Sequence, residues 1–365
     1  MKKRFANMEL LRIVTMFLIV SLHYVSYTDI LSSGNVYIAR MIYAFTYCCV
    51  DIFVLISGWF FSKSNVIGFK KATEKSVFLW LKTIFYSIVM FVIAVVVLKQ
   101  KIYPDLLIET FLPVTCSAYW FLTAFICLLF AVPFLDKLIN SISTNQHKLI
   151  VLAIIMMFCV PATFFPDNWL MDKSEGFSLI WFLCLYLIGA YLHRITDNIK
   201  QSKYLFLIGY FVCCLLIFAY FVIVKKLCLK LGITDRSVRV YRYTSLPVLA
   251  SAICLLLFFA KIDIKSPKAE KIILSFSSVT FDVYLIHCYE LMCSHLYVDI
   301  LHADKYYNSP FLLLHFIGSA LLIYVAATVI GLIRSKLLDK PFRFIAEKSG
   351  EFVDRIEHRI SSKQY

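Results

Sequence analysis

The 365-residue chain is 61% hydrophobic and 16% charged, with a formal net charge of +14. That mixture lies beyond what the core of a water-soluble domain absorbs. Its Lys and Arg residues gather in short clusters between apolar runs rather than along one face, which argues for membrane topology and against nucleic acid as a partner.

Crossing the hydrocarbon of a bilayer takes about 20 apolar residues. On that measure the sequence predicts an all-α, polytopic bundle of about ten transmembrane helices, near residues 8–28, 38–61, 77–98, 118–135, 147–165, 177–193, 204–224, 243–260, 273–299 and 311–337. The first run carries Glu9, Arg12 and His23 and lacks a small-residue cleavage site, so it is read as a retained helix. The stretch from Tyr103 to Thr115 is short and broken by Pro104 and Pro113; it is expected to lie in the interface or to re-enter. The 12 cysteines fall mostly inside apolar runs, as in Cys48-Cys49 and Cys213-Cys214, and read as small buried hydrophobes with no metal site.

Positive charge orients the spans. Lys2, Lys3 and Arg4 are followed in alternate connections by Lys63, Lys70, Lys71 and Lys75, then Lys137 and Lys148, then Arg194, Lys200 and Lys203, then Lys261, Lys265, Lys268 and Lys271. Both termini are therefore expected to be cytoplasmic. The outer connections are poor in charge or acidic, as around Asp167, Asp172 and Glu175. One breaks the pattern: residues 225–242 face outward on this count yet carry Lys225, Lys226, Lys230, Arg236, Arg239 and Arg242. Either a span is miscounted nearby, or that charge has a task outside, such as holding an anionic acceptor. No linker or repeat divides the chain, which reads as one membrane domain over 1–340 and a cytoplasmic tail over 341–365.

Ionisable groups inside a span are costly and point to function. The step of eleven residues from Arg12 to His23 is about three helical turns, roughly 16 Å, so the two side chains share a face. Glu9 sits one turn before Arg12 and can pair with it. The stripe is either an inward-facing polar path or two interfacial anchors with a histidine bonded to a neighbouring carbonyl. Histidine suits the removal of a hydroxyl proton near neutral pH, whereas arginine holds phosphate or carboxylate.

Arg12, ten intervening residues and His23, inside an N-x-E-L-L-R-I opening, resemble the signature of the acyltransferase-3 family of ten-helix membrane acyltransferases. VDIFVLISGWFF from Val50, AYWFLTAFICLL from Ala118, WFLCLYLIGAYL from Trp181, YTSLPVLASAICLLLFF from Tyr243 and SSVTFDVYLIHCY from Ser277 extend the likeness along the chain. The resemblance implies O-acetylation of a surface or capsular polysaccharide or its lipid-linked precursor. It implies acetyl-CoA as the donor from the cytoplasm, His23 as the catalytic residue, either general base or acyl acceptor, and Arg12 as its motif partner. The family's Arg-x-x-Arg pair after the second helix is replaced here by Lys70, Lys71 and Lys75, for which donor-phosphate binding and membrane anchoring both remain open.

Further candidates for contact with substrate are Glu9, Asp51, Tyr119, Trp120, Asp282 and His287. Asp51 can orient a cation or a histidine, and Tyr119 and Trp120 are substrate contacts or interfacial anchors. Asp282 and His287, with Glu290 beyond, are read as a His-carboxylate relay or as groups that satisfy one another. The competing function is a transporter or flippase that uses the same stripe without chemistry; broken helices related by internal symmetry would favour it.

Overall fold

A computed structural model describes residues 5–60, 68–99, 101–165 and 172–361. Lys2, Lys3, Arg4, Lys63 and Asp167, used above to orient the chain, and the side chain of Glu290 lie outside the described residues. Among those described there is no strand. The helices in chain order are α1 (Ala6–Ser26), α2 (Val36–Thr46), α3 (Cys49–Trp59), α4 (Phe69–Val96), α5 (Pro104–Phe111), α6 (Trp120–Ser141), α7 (Thr144–Ile154), α8 (Val160–Phe164), α9 (Leu179–Ile195), α10 (Lys203–Leu231), α11 (Leu246–Ala260), α12 (Pro267–Ser277), α13 (Thr280–His287), α14 (Glu290–His295) and α15 (Leu312–Ser361).

Eight stretches among the described residues are long and apolar enough to cross a membrane, with α2 and α3 forming one and α7 and α8 another. The remaining two expected spans take other forms. The run at 243–260 becomes the shorter apolar helix α11. The run at 273–299 breaks into α12, α13 and α14, followed by a π-helical turn at Leu296–Ile300. The Ser277 and Ser278 hydroxyls turn back to the Leu274 and Ser275 carbonyls, and Ser278 caps the helix, so α12 stops and α13 restarts. The segment Tyr103–Thr115 contains only α5, which opens on Pro104 and leaves Ile108 and Phe111 exposed.

Local chemistry sets several boundaries. Ser143 and Gln146 form a capping box that starts α7, Ser178 accepts from the Trp181 amide to start α9, and Gly232, at φ 63°, closes α10 in the left-handed region. The π-helical turn Ile155–Cys159 that joins α7 to α8 is followed at once by Pro161, whose missing amide hydrogen interrupts the regular ladder.

Helix α1 is the centre of the bundle, packed against α2, α3, α11, α12, α13 and α15. Its inward residues, among them Leu11, Val20 and Tyr24, are fully buried. Hydrocarbon gives apolar side chains little reason to associate, so close backbone approach and internal polar bonds carry much of the packing. Helices α3 and α9 lie back to back: a Cβ on Gly58 would meet the Tyr186 carbonyl oxygen at 2.1 Å, and one on Gly189 the Leu55 oxygen at 2.2 Å. The glycines at 58 and 189 thus allow the two backbones to pack closely.

Candidate functional site

The last turn of α1 and the end of α13 bring two histidines together. His23 Nδ1 lies 3.0 Å from His287 Nε2, and the Cys288 Sγ sits 3.1 Å from His23 Nδ1 and 3.4 Å from His287 Nε2. His287 is fully buried, and its Nδ1 is 2.5 Å from the Val283 carbonyl oxygen. A carbonyl only accepts, so Nδ1 of His287 carries the proton and Nε2 presents a lone pair. In the neutral pair His23 must then donate from Nδ1, which leaves its Nε2 as the basic nitrogen.

With Nδ1 engaged by His287 and Cys288, Nε2 is the ring nitrogen left for the cavity. His23 is partly exposed and lines a cavity of about 300 Å³, whereas neither His287 nor Cys288 borders it. The walls are aromatic: Trp120 packs on Phe177 with ring centres 4.6 Å apart and on Tyr243 at 6.2 Å, and Tyr47 on Tyr243 at 4.9 Å. Tyr27, one turn beyond His23, has its ring centre 5.2 Å from the imidazole. Ser26 on the same turn bonds the Tyr43 hydroxyl at 2.8 Å. The cavity therefore offers one base among flat apolar walls edged with hydroxyls.

The other end of the α1 stripe is occupied by Arg12 and Glu9. Arg12 Nη1 donates to both Glu9 carboxylate oxygens at 3.0 and 3.2 Å, and its guanidinium lies 5.1 Å from the Phe60 ring centre. Glu9 is buried and Arg12 half-buried. Neither borders the His23 cavity. Lys70 is paired with Asp354 of the C-terminal helix at 3.6 Å, and Lys71 and Lys75 sit with it in the first two turns of α4.

Of the other sequence candidates, Trp120 borders the cavity, while Tyr119 is buried behind it and donates to the Leu285 carbonyl at 3.2 Å. Asp51 is fully buried; one oxygen accepts from the Trp181 indole at 3.0 Å and the other, Oδ2, has no hydrogen-bond partner among the described residues. The pairing of Asp282 with His287 is corrected. Five residues on a helix turn them to different faces, and Asp282 instead accepts from Lys82 Nζ at 2.8 Å, the Tyr86 hydroxyl at 2.9 Å and Arg334 Nε at 2.7 Å. Arg334 also bonds Asp339. This buried group ties α4, α13 and α15 together at the opposite end of α13 from His287.

Four residues of these two groups and their surroundings were not among the sequence candidates. Lys82, Arg334 and Arg40 stand inside expected spans, so their charge was a readable signal. Cys288 carried none, since a thiol beside a histidine in an apolar run looks like any packed cysteine. Among the described residues His23, His287 and Cys288 are also the set whose donor atoms, all within 4.8 Å of one another, have the chemistry to hold a soft divalent ion.

An acyltransferase domain family, acyltransferase-3, has a model that matches residues 5–345. No curated protein and no solved structure matches the chain.

Proposed function

The chain belongs to the acyltransferase-3 family and is a multi-pass membrane acyltransferase, and from that premise we propose that it moves an acetyl group from cytoplasmic acetyl-CoA to a hydroxyl of a surface or capsular polysaccharide or its lipid-linked precursor. The observation that supports this most directly is the pairing of His23 with His287, which directs the lone pair of His23 Nε2 to the aromatic cavity.

The reaction balances without a further reagent. His23 Nε2 takes the proton of the acceptor hydroxyl as its oxygen attacks the thioester carbonyl, and His287 accepts the hydrogen bond from Nδ1 that steadies the resulting imidazolium. The carbon–sulfur bond breaks, and the departing thiolate recovers the proton from His23 Nε2. Arg12 and the lysines at 70, 71 and 75 serve the anionic donor from the side where positive charge gathers, with Arg12 held in place by Glu9.

Purified protein and labelled acetyl-CoA test the proposal. Wild type is expected to transfer label to the glycan and His23→Ala to transfer none while remaining folded in the membrane. Normal O-acetyl content of the glycan in cells carrying His23→Ala would overturn the assignment. A protein that moves glycan across vesicles without consuming thioester would be a transporter.

A further inference from the structure

A second cavity, of about 610 Å³, opens beside the first and shares Tyr43 and Tyr47 with it as a common wall. Four arginines border it, Arg40, Arg236, Arg239 and Arg242, against two carboxylates, Glu175 and Asp235. Three of the four come from the short segment between α10 and α11, the connection whose positive charge breaks the topology rule.

The four are held differently. Arg242 is buried and already paired with Glu175 at 3.0 Å, which fixes that wall. Arg40, on α2, makes no ion pair among the described residues. Its guanidinium is sandwiched by rings, with centres 5.7 Å away at Tyr43, 5.5 Å at Phe221 and 5.4 Å at Tyr241, and its buried Nε has no hydrogen-bond partner. Stacked aromatics orient a guanidinium without consuming its donors. Arg40 is thus a pre-aimed cation with unused hydrogen-bonding capacity. Arg236 is exposed at the mouth, where charge captures a ligand from solution.

We propose that this cavity binds an oxyanion of the acceptor, a carboxylate or phosphate on the sugar being modified or on its neighbour, so that the enzyme's acceptors are acidic saccharides. The reading rests on the acyl-transfer function above. The shared tyrosines supply the geometry: a saccharide stacked along Tyr43 and Tyr47 places its anion by Arg40 and an adjacent hydroxyl toward His23. An anion held bidentately by arginine is a strong, directional contact, and leaving Arg40 without it on binding a neutral sugar would forfeit that gain.

The test uses the full chain in nanodiscs of zwitterionic lipid and a panel of paired oligosaccharides. Uronate-bearing members are matched with their carboxyl-reduced forms, and phosphorylated members with their dephosphorylated forms. Equilibrium binding is expected to favour an acidic member over its neutral partner by about tenfold or more. Arg40→Gln, and separately the exposed Arg236→Gln, which spares the packing, are expected to shrink that preference. A preference for uronates over phosphates, or the reverse, identifies the oxyanion. Equal binding of every pair, no binding of any acidic member, or a preference unchanged in both variants would overturn the proposal. So would weakened binding of acetyl-CoA rather than saccharide in the variants, which would make the cavity a donor site. Acidic preference without acetyl transfer would instead leave the binding site standing and remove the transfer reading.

Discussion

His23 acquires its chemistry from a neighbour 264 positions away. A neutral imidazole has two interchangeable tautomers, and only one of them presents a lone pair to the cavity. The Val283 carbonyl selects it by fixing the proton on His287 Nδ1. Replacing His287 by Ala removes that selection, and kcat is expected to fall by about 10²–10⁴ with a smaller change in KM, measured by steady-state transfer of label. Cys288→Ala leaves both rings paired and is expected to cost less than about tenfold in the same assay. A loss as large as that of His287→Ala would make the thiol, or an ion held by all three donors, part of the site. The α1 stripe was legible in the sequence because an eleven-residue helical step needs no tertiary knowledge. The His23–His287 contact was not, because it depends on which face of a broken helix meets α1.

At the scale of elements, the interrupted segment from α12 to α14 matters most, since it carries His287, Cys288 and Asp282. Such a segment cannot hold its position by helix regularity and is anchored by Asp282 to Lys82 and Tyr86 of α4 and Arg334 of α15. Asp282→Ala would strand the buried Lys82 ammonium and leave Arg334 with Asp339 alone, and is expected to destabilise the fold by about 3–5 kcal/mol, read as a lowered unfolding temperature in detergent. A Cβ at Gly189 would collide with the α3 backbone, so Gly189→Val is expected to cost about 1–3 kcal/mol or more in the same measurement. Hydropathy located the apolar part of most spans because hydrocarbon selects on composition, but α4, α6, α10 and α15 run on beyond it. It did not reveal the break near Ser278 or the brevity of α11, since buried segments stay apolar whether they are continuous or not. The charges of Lys82 and Arg334 stand in separate apolar runs, and their shared partner, the Asp282 carboxylate, emerges only from the fold.

For the whole molecule, the C-terminal helix sets the dimensions. Fifty residues from Leu312 to Ser361 rise about 75 Å, against a hydrocarbon core of about 30 Å, so much of α15 stands outside it and runs without interruption through Pro341. Lys70 of α4 meets Asp354 on that outer portion, and Glu74 crowds Gly350. Positive charge along the alternate connections predicts a cytoplasmic position for this end. A fluorescent protein fused after Tyr365 is therefore expected to be fluorescent, and alkaline phosphatase inserted near Gly232 active outside; the opposite pattern would invert the topology. Of the ten expected spans, eight take the form of helices long and apolar enough to cross among the described residues, whereas the cavity of arginines appeared only as an exception to the charge rule. The buried salt network also constrains how the gene can change. With Lys82, Arg334 and Asp339 gathered on or around Asp282, loss of any one charge leaves another stranded, while matched losses restore neutrality. A strain disabled by Asp282→Asn should thus regain the protein through second-site changes at Lys82 or Arg334, making these distant codons inherit as a unit.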